Sequence, residues 1–471
     1  MDYSFLEDLL SAEQVSTAES ALSGHATDWG TEARNGSEPD VVVYPASTED
    51  VAEVLAAATE RDVPVTPYAA GTSLEGNPVP EYGGISLDLT RMGAVRDVRP
   101  ADFRMDVEPG VMGPAIEEAA GGHGLFFPPL PSSGDISTIG GMIANAASGM
   151  QTVKYGEIAD WVLELEVVLS DGSVITAGSQ AVKTSSGYNL RDLFVGSEGT
   201  LGVVTRATLE LAGRPEQIKG GRALFGTLDD ATAAVTDVVQ SGVDVAKIEL
   251  IDADAARISN AYTGAALPDQ PMVFLEFHAD HGIDEEIAFC EAVLADHDAE
   301  AFEIAAEERM ETVWRARKDL APAIDEYDPD REFHHPGDVT VPISEYGTLI
   351  EYAKSCGVEY DLTIPSFGHA GDGNVHYAIL VDPDDPDEVR RAKAAHSEIV
   401  DRAIEVGGTA TGEHGIGQGK RRYLVDEHGE ATVEAMRAIK RALDPTDTLN
   451  PGKIFPETAR GERVRADRDA E

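Results

Sequence analysis

The stretch Pro64-Val65-Thr66-Pro67-Tyr68-Ala69-Ala70-Gly71-Thr72-Ser73-Leu74-Glu75-Gly76 decides how the chain is read. A short apolar strand at 63–67 runs straight into a loop of small residues. Small side chains let backbone N–H groups approach a phosphate closely and form an anion nest. Taken alone, the segment reads equally well as a tight turn, so its neighbours matter. On its N-terminal side, Val41-Val42-Val43-Tyr44 forms a strand, and Ser47 or Thr48 with Glu49 and Asp50 caps a helix through about residue 59. Residues 1–24 read as an amphipathic helix. On its C-terminal side, 85–89 alternates like another strand. A glycine- and serine-dense region spans 127–149. The strand 162–169, the Asp171-Gly172 turn and the strand 173–176 make a hairpin. A further tight glycine loop lies at 194–202. Near Arg214-Pro215 these loops stop, and 216–410 alternates helix and strand with acid-rich connections such as 382–388. A domain boundary is expected near 215, and a charged, disordered tail after about 461.

The 471 residues include 86 Asp and Glu against 36 Lys and Arg, a net charge of −50. A chain this acidic is a poor ligand for nucleic-acid phosphates and for anionic membrane surfaces. With 42% hydrophobic residues it is also not a disordered chain. Only ten basic residues are lysine. Such an acid excess fits a salt-rich cytoplasm, where screening tames the repulsion. It far exceeds the roughly 2–8 charges that solubility asks of a small domain. Two cysteines, Cys290 and Cys356, are too few for an iron–sulfur cluster, which needs about four thiolates. Both are expected to be buried and inert. The N-terminus has no signal-peptide pattern, and no run of about 18 apolar residues occurs. These features predict a soluble, cytoplasmic protein without a membrane span.

The standard nucleotide motifs are absent. Gly415-Ile416-Gly417-Gln418-Gly419-Lys420 fails the spacing of both the dinucleotide and the P-loop patterns, and Arg421 stands where Ser or Thr belongs. Chemistry gathers elsewhere. Gly368-His369-Ala370-Gly371-Asp372-Gly373-Asn374-Val375-His376 reads as a turn between strands, and Gly412-Glu413-His414-Gly415 follows downstream. Two imidazoles and a carboxylate suit Zn²⁺, Mn²⁺ or Fe²⁺ better than an all-oxygen Ca²⁺ site, although the histidine pair alone also reads as structural. Trp314-Arg315-Ala316-Arg317-Lys318 is a basic cluster in an acidic domain. A solvated helix face is the alternative, and it suits Arg315 and Lys318 better.

Three segments together carry a resemblance. The 64–76 stretch resembles the pyrophosphate loop of flavoproteins of the vanillyl-alcohol oxidase and p-cresol methylhydroxylase type. Ser137-Thr138-Ile139-Gly140-Gly141-Met142-Ile143-Ala144-Asn145-Ala146-Ala147-Ser148-Gly149 resembles their second flavin segment. Gly187-Tyr188-Asn189-Leu190 with 193–202 resembles the third. Order and spacing match over nearly the whole chain. Within that superfamily the chain looks like the FAD-linked D-2-hydroxy-acid dehydrogenases, which include cytochrome-linked D-lactate dehydrogenases and the flavin subunit of glycolate oxidase. One departure is Tyr68-Ala69, where members often have Arg-Gly.

The resemblance implies an α+β fold. A two-subdomain FAD-binding domain of the p-cresol methylhydroxylase type would cover 1–215, and an α/β cap domain with an antiparallel sheet 216–410. Residues 411–460 would return to the FAD domain, and 461–471 would be the tail. It implies noncovalent FAD, with Pro67, Ala69, Ala70, Gly71, Thr72, Ser73 and Gly76 on the pyrophosphate. Pro131, Thr138, Gly141, Asn145 and Gly149 would line the isoalloxazine and ribityl chain. Glu198, Gly202 and Val204 would face the adenosine side, and Asn450 in the closing segment 444–453 would also serve the cofactor. It implies His369, His376 and Glu413 as ligands of a divalent metal, His414 as general base and Arg317 as the clamp on the substrate carboxylate. The expected reaction is oxidation of a D-2-hydroxy acid, first of all D-lactate, with hydride passing to flavin N5. Relatives acting on D-2-hydroxyglutarate carry a lysine where this chain has His334-His335-Pro336-Gly337, which speaks against a dicarboxylate. The acceptor is left open among a quinone, a cytochrome, an electron-transfer flavoprotein and an iron–sulfur subunit, and a homodimer is allowed for. A glycolate-oxidase flavin subunit is the first alternative, and a flavin-free metal hydrolase a remote one.

Overall fold

The computed structural model describes residues 2–31, 36–305, 314–328, 330–333, 336–456 and 460. His334, His335 and the tail 461–471 lie outside them. The chain forms two compact units. One comprises Met1–Ser148, Glu157–Arg214 and Glu413–Glu471, the other Gly149–Gly156 and Pro215–Gly412. Helices and sheets are both abundant and the large sheets are mostly antiparallel, so the class is α+β.

Among the described residues the first unit holds two larger sheets and a two-stranded pair of Leu125–Phe126 with Ala212–Gly213. In the four-stranded sheet, Val41–Val43, Ile85–Asp88 and Val65–Tyr68 run parallel, with Ile85–Asp88 central. The helix Thr48–Glu60 links Val41–Val43 to Val65–Tyr68, and the Ser47 hydroxyl caps it by accepting from Asp50 N at 3.1 Å. Its buried stripe Val51, Val54, Leu55 and Ala58 shares a core with Val41, Val43, Val65, Ile85 and Leu87. The five-stranded sheet is antiparallel, in the order 95–99, 104–107, 203–210, 162–168, 174–178. The hairpin expected around Asp171-Gly172 is its last pair.

Residues 1–24 do not form one helix. They break into the helix Phe5–Leu9, the short strand Val15–Ser16 and the helix Glu19–Gly24. Val15 pairs with Val43, so sheet edge completion outweighs the helical periodicity. Leu6 and Leu10 still reach the core, which is the amphipathic signal the sequence carried.

The second unit is built on a seven-stranded antiparallel sheet in the order 301–305, 217–224, 272–279, 247–251, 366–369, 374–377, 337–340. The helices Leu228–Ser241, Ile283–Ala295 and Tyr346–Tyr360 pack on it and on one another. Cross-strand partners share a face. Glu249 stands opposite both Phe274 and His369, Ile251 opposite Met272 and Phe367, and His376 opposite Phe367 and Asp338. One face therefore carries Lys247, Glu249, His369, His376 and Asp338 beside the apolar cluster of Ile251, Met272, Phe274, Trp314 and Phe367. Ile248 and Leu250 alternate onto the other.

Candidate active site

In the first unit the three glycine segments converge, although they are far apart in sequence. Thr72 Oγ1 lies 2.9 Å from Ser137 Oγ. Gly196 N donates to Ile143 O at 2.9 Å and Glu198 N to Ala144 O at 2.8 Å. A Cβ on Gly199 would come within 2.9 Å of the Pro67 ring, so only glycine allows that approach. Thr138 caps the helix Ile139–Asn145, its hydroxyl accepting from Gly141 N at 3.3 Å.

The loop after Tyr68 suits a diphosphate. Its carbonyls are taken up: Gly71 O accepts from Trp29 N at 3.0 Å and Ser73 O from Gly30 N at 3.2 Å. The N–H groups of Ala70 to Leu74 find no acceptor among the described residues, and the loop is half-buried. A row of unsatisfied donors beside a helix start is what an anionic pyrophosphate needs. The next two donors are satisfied, Glu75 N by Asn77 Oδ1 at 3.3 Å and Gly76 N by the buried Asp28 carboxylate at 2.8 Å.

Glu198 and Asn450 meet here as well. The Glu198 carboxylate accepts from Asn77 Nδ2 at 2.7 Å, Ile416 N at 2.7 Å and Gly417 N at 2.9 Å. Asn450 Nδ2 donates to Asn77 O and to Glu198 O. Burial pushes the Glu198 carboxyl up, against the pull of those hydrogen bonds. Ala146, Glu198 and Asn450 all adopt left-handed backbone, at φ 50°, 51° and 39°. Strain of this kind persists where surrounding structure over-determines it, commonly at functional sites. Asn145 Nδ2 donates to Glu413 O at 2.9 Å, and Ser148 Oγ to Glu413 Oε2 at 3.3 Å, so the second glycine segment also holds the Glu413 residue. Pro131 lies in the loop before this segment, its carbonyl accepting from Gly134 N. Gly202 packs tightly on Val167, and Val204 is part of the apolar core. Gly149 belongs to the second unit, where its N–H bonds Thr152 Oγ1.

In the second unit, His369 and His376 sit on adjacent strands joined by the turn 370–373. Their rings are 5.1 Å apart, edge to face, and each offers a ring nitrogen within 4.8 Å of the other's. Both are buried. His369 Nδ1 contacts Glu249 Oε1 at 2.6 Å. A carboxylate only accepts, so Nδ1 carries the proton and a neutral ring presents Nε2 as a metal donor. The donor chemistry fits a divalent ion of the Zn²⁺, Mn²⁺ or Fe²⁺ kind. Asp338 is fully buried. It accepts from Asn374 Nδ2, from Thr411 Oγ1 and from Gly412 N, each at 2.8 Å, the last directly before Glu413 in sequence.

Arg317 is 4% exposed whereas Arg315 and Lys318 are exposed to solvent, so the solvated-face reading describes those two and not Arg317. Its Nη2 lies 2.6 Å from Glu249 Oε2, and its guanidinium stacks 5.1 Å from the Phe367 ring. The ion pair lacks hydrogen-bond alignment, which leaves Nε and Nη2 as buried donors without an acceptor among the described residues. Burial alone would raise the Glu249 carboxyl, but His369 and Arg317 outweigh it and hold it below the usual carboxylate range. Sequence reasoning missed Glu249 and the clamping role of Asp338. The one local signal was a pair of charges, Lys247 and Glu249, in an otherwise apolar strand. Cys290 and Cys356 are free and buried, and burial pushes their thiols up to about 12 and about 11.

Fold and glycine loops together define an FAD-binding oxidoreductase. Solved structures agree on the fold: p-cresol methylhydroxylase matches with a TM-score of 0.77 at 18% identity, over 95% of each chain. The 4-ethylphenol oxidase from Gulosibacter chungangensis matches with a TM-score of 0.76 at 18% identity, over 97% of this chain and 96% of that one. The FAD-binding domain family matches residues 39–178, and the FAD-linked oxidase C-terminal domain family residues 214–454. The chain belongs to the FAD-linked oxidase family. Its relatives include a probable mitochondrial D-lactate dehydrogenase of Danio rerio, 38% identical over 89% of this chain and 85% of the relative. Glycolate oxidase subunit GlcD of Bacillus subtilis is 36% identical over 92% of each. A mitochondrial D-lactate dehydrogenase [cytochrome] of Arabidopsis thaliana is 36% identical over 89% and 74%. Among the described residues no helix is long and apolar enough to cross a membrane.

Proposed function

We propose that the protein oxidises a D-2-hydroxy acid, D-lactate first, using FAD and a divalent metal. The observation that carries this reading is the buried pair His369 and His376, beside a buried arginine with unfilled donors. Relatives named D-lactate dehydrogenase support the substrate class. When bound, the metal would acidify the substrate hydroxyl and FAD would accept the C2 hydride at N5. His369 and His376 hold the ion with Glu413 as third ligand. His414, next in sequence, takes the hydroxyl proton as general base. Arg317 grips the substrate carboxylate through its guanidinium. The backbone donors of 70–74 hold the FAD pyrophosphate, and no covalent flavin link is expected.

The GlcD relatives support a second reading, glycolate oxidation as the flavin subunit of a larger assembly with an iron–sulfur partner. Anaerobic addition of D-lactate, L-lactate and glycolate to the FAD-loaded protein separates the two. Bleaching of the flavin by D-lactate but not L-lactate supports the first. Bleaching by glycolate alone supports the second, and bleaching by none of them removes both.

A further inference from the structure

Glu249 is a fully buried carboxylate in the middle of an apolar strand, and neither hydride nor proton transfer needs it. An uncompensated charge there would be costly. It is compensated on both sides. Oε1 accepts from His369 Nδ1 at 2.6 Å, and Oε2 lies 2.6 Å from Arg317 Nη2. Sheet register produces the first contact, because Glu249 and His369 are direct cross-strand partners on one face. The helical segment that includes Trp314 brings the second.

We infer that Glu249 is a positioning residue for both arms of the site. One oxygen fixes the tautomer and ring orientation of a metal-binding imidazole. The other fixes the orientation of the guanidinium, so that its remaining N–H groups stay available to a substrate carboxylate. The inference rests on the reading of His369 as a ligand and Arg317 as a clamp. It adds that a single carboxylate sets the two in register, so that one substitution loosens both metal and substrate.

The test uses the FAD-loaded full chain, stripped of metal and titrated with Mn²⁺, with free Mn²⁺ read by electron paramagnetic resonance. Glu249→Gln keeps the side-chain shape but removes the negative charge that both arms share, so it weakens the hydrogen bond from His369 Nδ1 and the pairing with the Arg317 guanidinium together. Its Mn²⁺ affinity should fall by roughly ten- to a hundredfold. Its KM for D-lactate at saturating Mn²⁺ should rise by roughly tenfold or more. Arg317→Lys should raise KM and leave Mn²⁺ affinity unchanged, whereas His369→Ala should abolish tight Mn²⁺ binding. Wild-type Mn²⁺ affinity in Glu249→Gln, or an effect on only one of the two readouts, overturns the inference alone. A wild-type protein with no Mn²⁺ site that His369→Ala removes overturns the metal reading and the inference with it. Should Glu249→Gln fail to fold, Glu249→Asp takes its place. It keeps the charge but is one methylene too short to reach both partners, and wild-type Mn²⁺ affinity and KM there overturn the inference.

Discussion

Arg317 and Arg315 are two positions apart and meet opposite fates, one buried against Phe367 and the other in solvent. If the buried guanidinium grips the substrate, Arg317→Lys exchanges a two-point fork for a single point charge. Losing one charge-assisted hydrogen bond costs about 1.5–3 kcal/mol, roughly ten- to a hundredfold in kcat/KM for D-lactate. Arg315→Lys should be silent in the same steady-state assay, and FAD content should be unchanged in both. Equal effects at the two positions would make the cluster a solvated face. A second residue-scale prediction concerns Lys453, which is fully buried and donates to Val79 O at 2.6 Å. Burial drops its pKa from 10.5 to about 8. The unfolded chain then holds that proton more tightly, so this lysine destabilises the fold below about pH 8 and the penalty fades as pH climbs towards 10.5. The raised thiols of Cys290 and Cys356 act in the opposite sense, so the comparison must be with Lys453→Met. Between about pH 7 and pH 9.5 the difference in Tm should move in favour of the wild type. A difference that stays constant would mean that Lys453 titrates normally. The basic cluster beside Trp314 was legible because it stands out in an acidic domain, whereas the choice of Arg317 within it came from the family resemblance. Glu249 was not legible, since Lys-Ile-Glu-Leu-Ile reads locally as a strand with one wet face. Its partner lies 120 residues away, a pairing that no local pattern encodes.

At the scale of elements, the turn 370–373 links the two histidine-bearing strands. Gly373 adopts φ +79°, and a Cβ there would strike the Val341 carbonyl oxygen. Gly242 has the same φ of +79° but nothing within 4 Å of such a Cβ. Both Gly→Ala changes should cost about 1–3 kcal/mol of backbone strain, seen as a lower Tm. Only Gly373→Ala should also weaken Mn²⁺ binding, by displacing His369 and His376 relative to each other. Equal metal affinity in the two variants would detach the turn from the site. Elements with strong local signals were readable in advance. The Ser47 cap, the 162–178 hairpin and the strand–turn–strand around 369–376 stand within a residue or two of where propensity puts them. The N-terminal 24 residues were misread because pairing of Val15 with Val43 is a tertiary choice that helical periodicity cannot register. The order of the seven-stranded sheet, where 247–251 is flanked by 272–279 and 366–369, is likewise set by packing across distant segments.

For the whole molecule, a charge of −50 on 471 residues makes self-repulsion a leading destabilising effect at low salt. The Debye length falls from about 10 Å at 0.1 M to about 3 Å at 1 M, so molar KCl should raise Tm. A flat or falling Tm over that range would contradict a salt-adapted chain. The family was legible from three glycine loops in the right order, because such loops work through backbone geometry that tolerates changes such as Tyr68-Ala69. The central claim is that a metal held by His369 and His376 and an FAD held by the glycine loops act together on a D-2-hydroxy acid. Its most direct test is the anaerobic rate at which D-lactate bleaches the flavin, in protein stripped of metal and after Mn²⁺ or Zn²⁺ is restored. Slow bleaching that recovers on metal addition, with L-lactate inert throughout, is the predicted result; full-rate bleaching without metal, or bleaching by L-lactate alone, would contradict it.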